Sequence, residues 1–171
     1  MKDVFLVYDA SCFYEIIILN YFMAFSKCDV LLCSPDGRSV RTMEGYSVNV
    51  DCALEDVDLT QVRSFVVPGG RIAPIDTPYV WACLRELEGR GALVAGICAG
   101  VDVLDHAGIL EGRSSTHSTE RDVVNDRHVI TSRANGYVDF AIETAKELNL
   151  FQSEEDLRKT VDFWKHYKRM Q

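Results

Sequence analysis

The stretch GALVAGICAGVDVLDHAGIL, residues 91–110, decides the fold. Its early part, 92–97, is a short run of apolar and small residues, as expected of a strand buried on both faces. From 100 to 107 the pattern turns helical. Between them Cys98 sits in Gly96-Ile97-Cys98-Ala99-Gly100, where the strand becomes the helix. One reading is a nucleophile elbow with cysteine in place of serine: small neighbours let backbone approach closely, and the helix N-terminus favours a thiolate. The other is a small buried thiol at a bend. The motif alone leaves both open.

Outward from this junction the same alternation recurs. VFLVYD (4–9) reads as a buried first strand, and FYEIIILNYFMAFSK (13–27) as a helix that is apolar nearly all round. DVLLCS (29–34) is a second strand, closed by the turn Ser34-Pro35-Asp36-Gly37. Residues 38–58 hold one or two short strands and an acidic loop. SFVVPGG (64–70) is a third buried strand stopped by Pro68-Gly69-Gly70. Thr77-Pro78 opens a helix over 77–89, followed later by a strand at 128–133 and helices at 137–150 and 153–168. Ser153 with Asp156 marks the start of the last helix. Strands alternating with helices predict a doubly wound α/β domain, a mostly parallel sheet with helices on both faces. No repeat or linker divides residues 1–171, so a single domain is expected.

Hydrophobic residues make up 47% and charged residues 26%, as in a globular protein, and the net charge of −8 argues against a nucleic-acid surface. The one basic clump, WKHYKRM (164–170), reads as a solvated helix end. No apolar run reaches the roughly 18 residues of a membrane span. The N-terminus reads as a strand, not a signal peptide. Six cysteines without a C-x-x-C pair predict free thiols in a reducing cytosol, with no disulfide framework, no metal and no cofactor. Cys28, Cys33 and Cys83 read as small core residues, and Cys12 as a thiol near the cleft. His106 and His128 read as surface residues, and Trp81, Phe163 and Trp164 as packing residues.

In such a sheet, ligands sit beyond the carboxyl ends of the strands, and three features arrive there. Cys98 is the first. Pro68-Gly69-Gly70 is the second: paired glycines can turn an N–H toward a neighbouring site, which with the Ala99 N–H would form an oxyanion hole. Glu15 is the third. At the start of a helix it is a favourable first-turn charge; pointed into the cleft it would be desolvated and hold its proton.

VVPGG, AGICAG, GILEGRSSTH and VITSRANG, in this order and spacing, resemble the ThiJ/PfpI superfamily of class I glutamine-amidotransferase-like proteins. The resemblance runs from the first strand to about residue 150. It implies the flavodoxin-like form of the predicted fold, a homodimer, and a small-molecule substrate. It assigns Cys98 as the reactive elbow cysteine, Glu15 as the acid beside its sulfur, Gly70 and Ala99 as backbone oxyanion donors, and His117 as a histidine near the cysteine. PfpI-type proteases carry histidine directly after the cysteine; here that residue is Ala99. No His-x-Glu pair of the kind glutamine amidotransferases use follows the elbow. Isonitrile hydratases tend to carry aspartate where this chain has Glu15. The resemblance therefore falls closest to the deglycase/glyoxalase-like branch, from which the 38–60 region and the final helix differ in length.

The resulting expectation is a cysteine-dependent hydrolase or lyase acting on small electrophilic carbonyl compounds. The alternative is a redox sensor or stress protein without turnover, in which the same cysteine is oxidised. A ligand-binding regulatory module is a third reading, disfavoured by the acidic charge and the lack of a DNA-binding appendage.

Overall fold

The computed structural model of the chain describes residues 1–169. Met170, at the end of the basic clump, and Gln171 lie outside them.

Five of the predicted strands form the parallel body of one sheet or its flank. They are β1 (Lys2–Leu6), β2 (Asp29–Ser34), β6 (Val62–Val67), β7 (Leu93–Ile97) and β9 (Val129–Ser132). With β5 (Cys52–Ala53) and β8 (Val123–Asp126) they make a seven-stranded sheet of order β5-β2-β1-β6-β7-β9-β8. Every neighbouring pair is parallel except β8 with β9. The strands β3 (Val40–Arg41) and β4 (Ser47–Val48) form a separate antiparallel pair.

The helices are α1 (Tyr14–Phe25), α2 (Pro78–Gly89), α3 (Gly100–His106), α4 (Tyr137–Glu147) and α5 (Glu154–His166). Alternate residues of the central strands feed two cores, as the two-residue period of a strand requires. Val4, Leu6, Phe65, Val67 and Val94 pack with Leu84 and Leu87 of α2 and Val103 and Leu104 of α3. Phe5, Val7, Val66, Ala95 and Ile97 pack with Ile16 and Leu19 of α1 and Phe140 and Ala145 of α4. The sheet is thus covered on both faces, which is why its strands are near-continuous apolar runs. Helix α5 joins the second core through Leu157, Val161 and Trp164 alone. Its indole lies edge-on to Phe22, with ring centroids 5.8 Å apart.

Local signals place the helix starts. The Thr77 hydroxyl accepts from the Val80 N–H (3.4 Å), with proline in the first turn, and the Ser153 hydroxyl accepts from the Asp156 N–H (3.1 Å). No described helix is long and apolar enough to cross a membrane.

Several elements differ from expectation: residues 38–58 hold three short strands (β3, β4 and β5) rather than one or two, and the third long strand ends at Val67 rather than residue 70. The first strand ends at Leu6 rather than residue 9, because the chain bends at Ala10, whose φ is +62°, to bring Ser11 beside Gly70. Strand β8 has no counterpart among the sequence-based elements. Arg127 and His128 join it to β9 with φ of +55° and +63°, the backbone of a two-residue hairpin turn that favours Asn and Gly. Here the conformation is held from outside: Arg127 donates to the Gly112 carbonyl at 2.7 Å, and the His128 ring meets Glu147 on α4. His128 is therefore an exposed turn residue rather than the first residue of a strand.

Candidate active site

The carboxyl ends of β1, β6 and β7 converge on Cys98. Its backbone has φ of +56°, left-handed for a non-glycine residue, so the turn stores strain of roughly 1–2 kcal/mol. The Cys98 N–H donates to the Ser132 carbonyl at the end of β9 (2.8 Å), which fixes the turn against the neighbouring strand. Gly100 shows why this junction needs small residues. A Cβ there would lie 2.2 Å from the Val67 carbonyl oxygen and 2.9 Å from that of Pro68. The start of α3 is pressed directly onto the end of β6.

Pro68-Gly69-Gly70 is equally constrained. A Cβ on Gly69 would stand 2.5 Å from Cys98 Cβ and 2.8 Å from its Sγ, and one on Gly70 would stand 2.1 Å from the Ala10 carbonyl oxygen. Gly70 has φ of +126°. The Gly69 N–H donates to Glu15 Oε2 at 2.7 Å, while its carbonyl accepts from the Cys12 N–H at 2.8 Å. The first of the two glycines thus holds the glutamate, a role not legible in the sequence.

Glu15, in the first turn of α1, is 1% exposed. The Cys98 thiol and the Tyr14 hydroxyl lie beside its carboxyl, yet Oε1 lacks a hydrogen bond of good geometry. Burial pushes Glu15 up to about 7, against the pull of the Gly69 N–H. The Cys98 thiol is raised by burial first and then by the Glu15 charge, while the Ala99 N–H favours the thiolate. Protonating Glu15 removes that repulsion, so the two groups compete for one proton and titrate as a pair.

Around the pair lie Cys12, expected near the cleft, and groups the sequence did not single out. The Tyr8 hydroxyl donates to the Pro68 carbonyl at 2.9 Å. Tyr14 stands edge-on to Tyr137, with centroids 5.5 Å apart. Its N–H donates to a Glu44 carboxylate oxygen at 2.9 Å, so the turn between β3 and β4 caps α1. Only adjacency to Glu15 pointed to Tyr14, and no local pattern points to Glu44. The Cys12 thiol is pushed up to about 11 by burial and then by Glu15 and Cys98. Cys33 and Cys83 are buried, and Cys28 is half-buried.

His117 meets two carboxylates of the helix that follows the elbow. Its Nε2 lies 3.3 Å from an Asp102 carboxylate oxygen and its Nδ1 3.3 Å from one of Asp105, both on α3. His106 is at the surface, where its Nδ1 meets Asp76 at 2.9 Å. The same carboxylate accepts from the half-buried Trp81 indole at 2.8 Å.

The chain has relatives of known fold. Over 98% of its length it superposes on all of a DJ-1 superfamily protein, Atu0886 from Agrobacterium tumefaciens, with a TM-score of 0.87 at 22% identity. It is 35% identical over 102 residues to Deglycase TK1284 of Thermococcus kodakarensis, covering 57% of this chain and 61% of that protein. It is 28% identical over 153 residues to Glutathione-independent glyoxalase DJR-1.2 of Caenorhabditis elegans, covering 78% and 81%. The chain thus spans about three-fifths of the archaeal relative and four-fifths of the nematode one. Residues 1–147 match the DJ-1/PfpI family, and the chain belongs to it.

Proposed function

We propose that the protein is a cysteine-dependent hydrolase or lyase acting on small electrophilic carbonyl compounds, glyoxalase- or deglycase-like. One observation carries the reading: a glutamate buried and lifted to about 7 stands beside a thiol held on a strained elbow. A group poised near neutral pH is suited to move protons in both directions. The names of the archaeal and nematode relatives support the substrate class.

In this mechanism Glu15 takes the Cys98 proton as Sγ forms a bond to the aldehyde carbon of an α-oxoaldehyde. The carbonyl π electrons move to oxygen, and the resulting oxyanion is stabilised by the N–H groups of Ala99 and Gly70. Glu15 then returns the proton to give a hemithioacetal. His117 acts at one remove, through Asp102. We place the protein in the cytosol as a homodimer, a reading supported by family membership and by free thiols at all six cysteines.

Methylglyoxal turnover tests the reading. The native protein is expected to form lactate, and Cys98→Ala to fall to the uncatalysed background. Turnover unchanged in Cys98→Ala, or no turnover of any α-oxoaldehyde by the native protein, contradicts it.

Glu15 Oε1 also favours a second reading. A protonated carboxyl without a firm partner can donate to an oxidised sulfur, so Cys98 can serve as a peroxide sensor. Graded peroxide followed by peptide mass spectrometry is then expected to oxidise Cys98 first. Oxidation of Cys12 or Cys83 with Cys98 spared overturns this reading.

A further inference from the structure

We propose that Cys33 and Cys52 are a second modification site, a dithiol that a small disulfide oxidant converts into a reversible bond between β2 and β5. The inference goes beyond the proposed reaction and does not depend on Cys98.

Register brings the two residues together. Cys33 in β2 and Cys52 in β5 are direct partners across a parallel pair, so their side chains leave the same face of the sheet. Both pack into the core that α2 and α3 cover, Cys33 buried and Cys52 half-buried. The register is pinned one residue earlier on each chain segment. The Asp51 N–H donates to the Leu32 carbonyl at 2.8 Å, and the Asp51 carboxylate accepts from the Leu32 N–H, also at 2.8 Å.

Neighbouring strands stand about 4.8 Å apart, inside the span of about 4.4–6.8 Å that a disulfide allows between Cα atoms. The Cβ atoms must close further, to about 3.8 Å. That movement falls on β5, a strand of two residues at the end of the sheet, paired on one side. A bond made under this pinch is strained and readily reduced, as regulatory disulfides are. Its closure tethers the segment between residues 33 and 52, from which Glu44 reaches the start of α1.

The Cys52 thiolate attacks one sulfur of the oxidant, forming a mixed disulfide and expelling a thiolate. The Cys33 thiolate then attacks Cys52 Sγ and expels the second thiolate. Each departing thiolate takes up a proton that a protein thiol released to solvent, so two electrons pass from the dithiol to the oxidant. Burial raises both thiols, with Asp56 and Asp51 adding to the effect at Cys52. The exchange is therefore slow and is followed to completion.

The folded full chain is equilibrated with hydroxyethyl disulfide at decreasing levels of 2-mercaptoethanol. Free thiols are then alkylated in acid quench, and peptides are analysed without reduction. Cys28 and Cys33 share the tryptic peptide between Lys27 and Arg38, so fragmentation assigns the bond. A peptide linking Cys33 to Cys52 is expected to accumulate and to disappear when excess 2-mercaptoethanol is restored. Cys52→Ser is expected to lose it, and Cys83→Ser and Cys98→Ala to keep it. Cys52 left unmodified, or carrying only the mixed disulfide with Cys33 free at every ratio, overturns the proposal. A bond from either residue to Cys83, or loss of the link in Cys98→Ala, overturns it as well.

Discussion

Replacing Glu15 with glutamine is expected to make the protein more stable and far less active. The carboxyl titrates at 4.5 without the fold and is pushed up to about 7 within it by burial. A folded-state value above the unfolded one means that folding takes up a proton between those two pH values. The contribution of Glu15 to stability is therefore fully present below pH 4.5 and is lost as pH rises through about 7. The difference amounts to about 3 kcal/mol above neutrality. Glutamine carries no charge to bury and keeps an oxygen for the Gly69 N–H. Urea unfolding should show little difference between the two proteins below pH 4.5, an advantage for Glu15→Gln that grows as pH rises to about 7, and a constant advantage above that. Turnover moves the other way. An amide cannot take the thiol's proton, and loss of a positioned acid–base group lowers turnover by about 100-fold or more. A glutamine protein that kept its activity would make Glu15 a structural residue only.

Gly100→Ala tests the elbow itself. The new methyl would lie 2.2 Å from the Val67 carbonyl oxygen, a backbone atom in the middle of the sheet that cannot swing aside. Either α3 lifts from the end of β6 or the strand is pushed back, at a cost of about 3 kcal/mol. Cys98 moves with α3, so its alkylation should lose its dependence on Glu15. Gly89→Ala is the matched control. A Cβ at Gly89 has no contact within 4 Å, and the residue ends helix α2, so this change should be neutral or slightly stabilising. Equal effects of the two substitutions would contradict the close packing at the elbow.

The parts of this architecture visible in the sequence are those whose cause is local. Strands β1, β2, β6 and β7 carry apolar runs (4–6, 30–33, 65–67 and 93–95) because the sheet is covered on both faces. Thr77-Pro78 and Ser153 carry their own capping chemistry. The hairpin at Arg127 and His128 was hidden because its turn has neither glycine nor asparagine and is held by Gly112 and Glu147. The site divides in the same way. Cys98 and the Pro-Gly-Gly turn announce themselves through glycine spacing, since close backbone approach excludes a side chain. Glu15 was legible as an acid at a helix start, but its hydrogen bond to Gly69 joins residues 54 positions apart. Glu44 reaches α1 from a turn in the segment whose pattern was weakest. His117 followed from resemblance alone, and both ring nitrogens face carboxylates of α3.

The central claim is that Cys98 and Glu15 share a proton, and the pH dependence of Cys98 alkylation tests it directly. In the native protein the rate is expected to rise in two steps, a minor one as the pair loses its first proton near 7 and the main one above the free-thiol range, where burial and the Glu15 charge hold the thiol. In Glu15→Gln the early step should vanish and the main rise should move to lower pH, because the charge that holds the thiol up is gone. A single rise near the free-thiol value of about 8.5, the same in both proteins, would contradict the account.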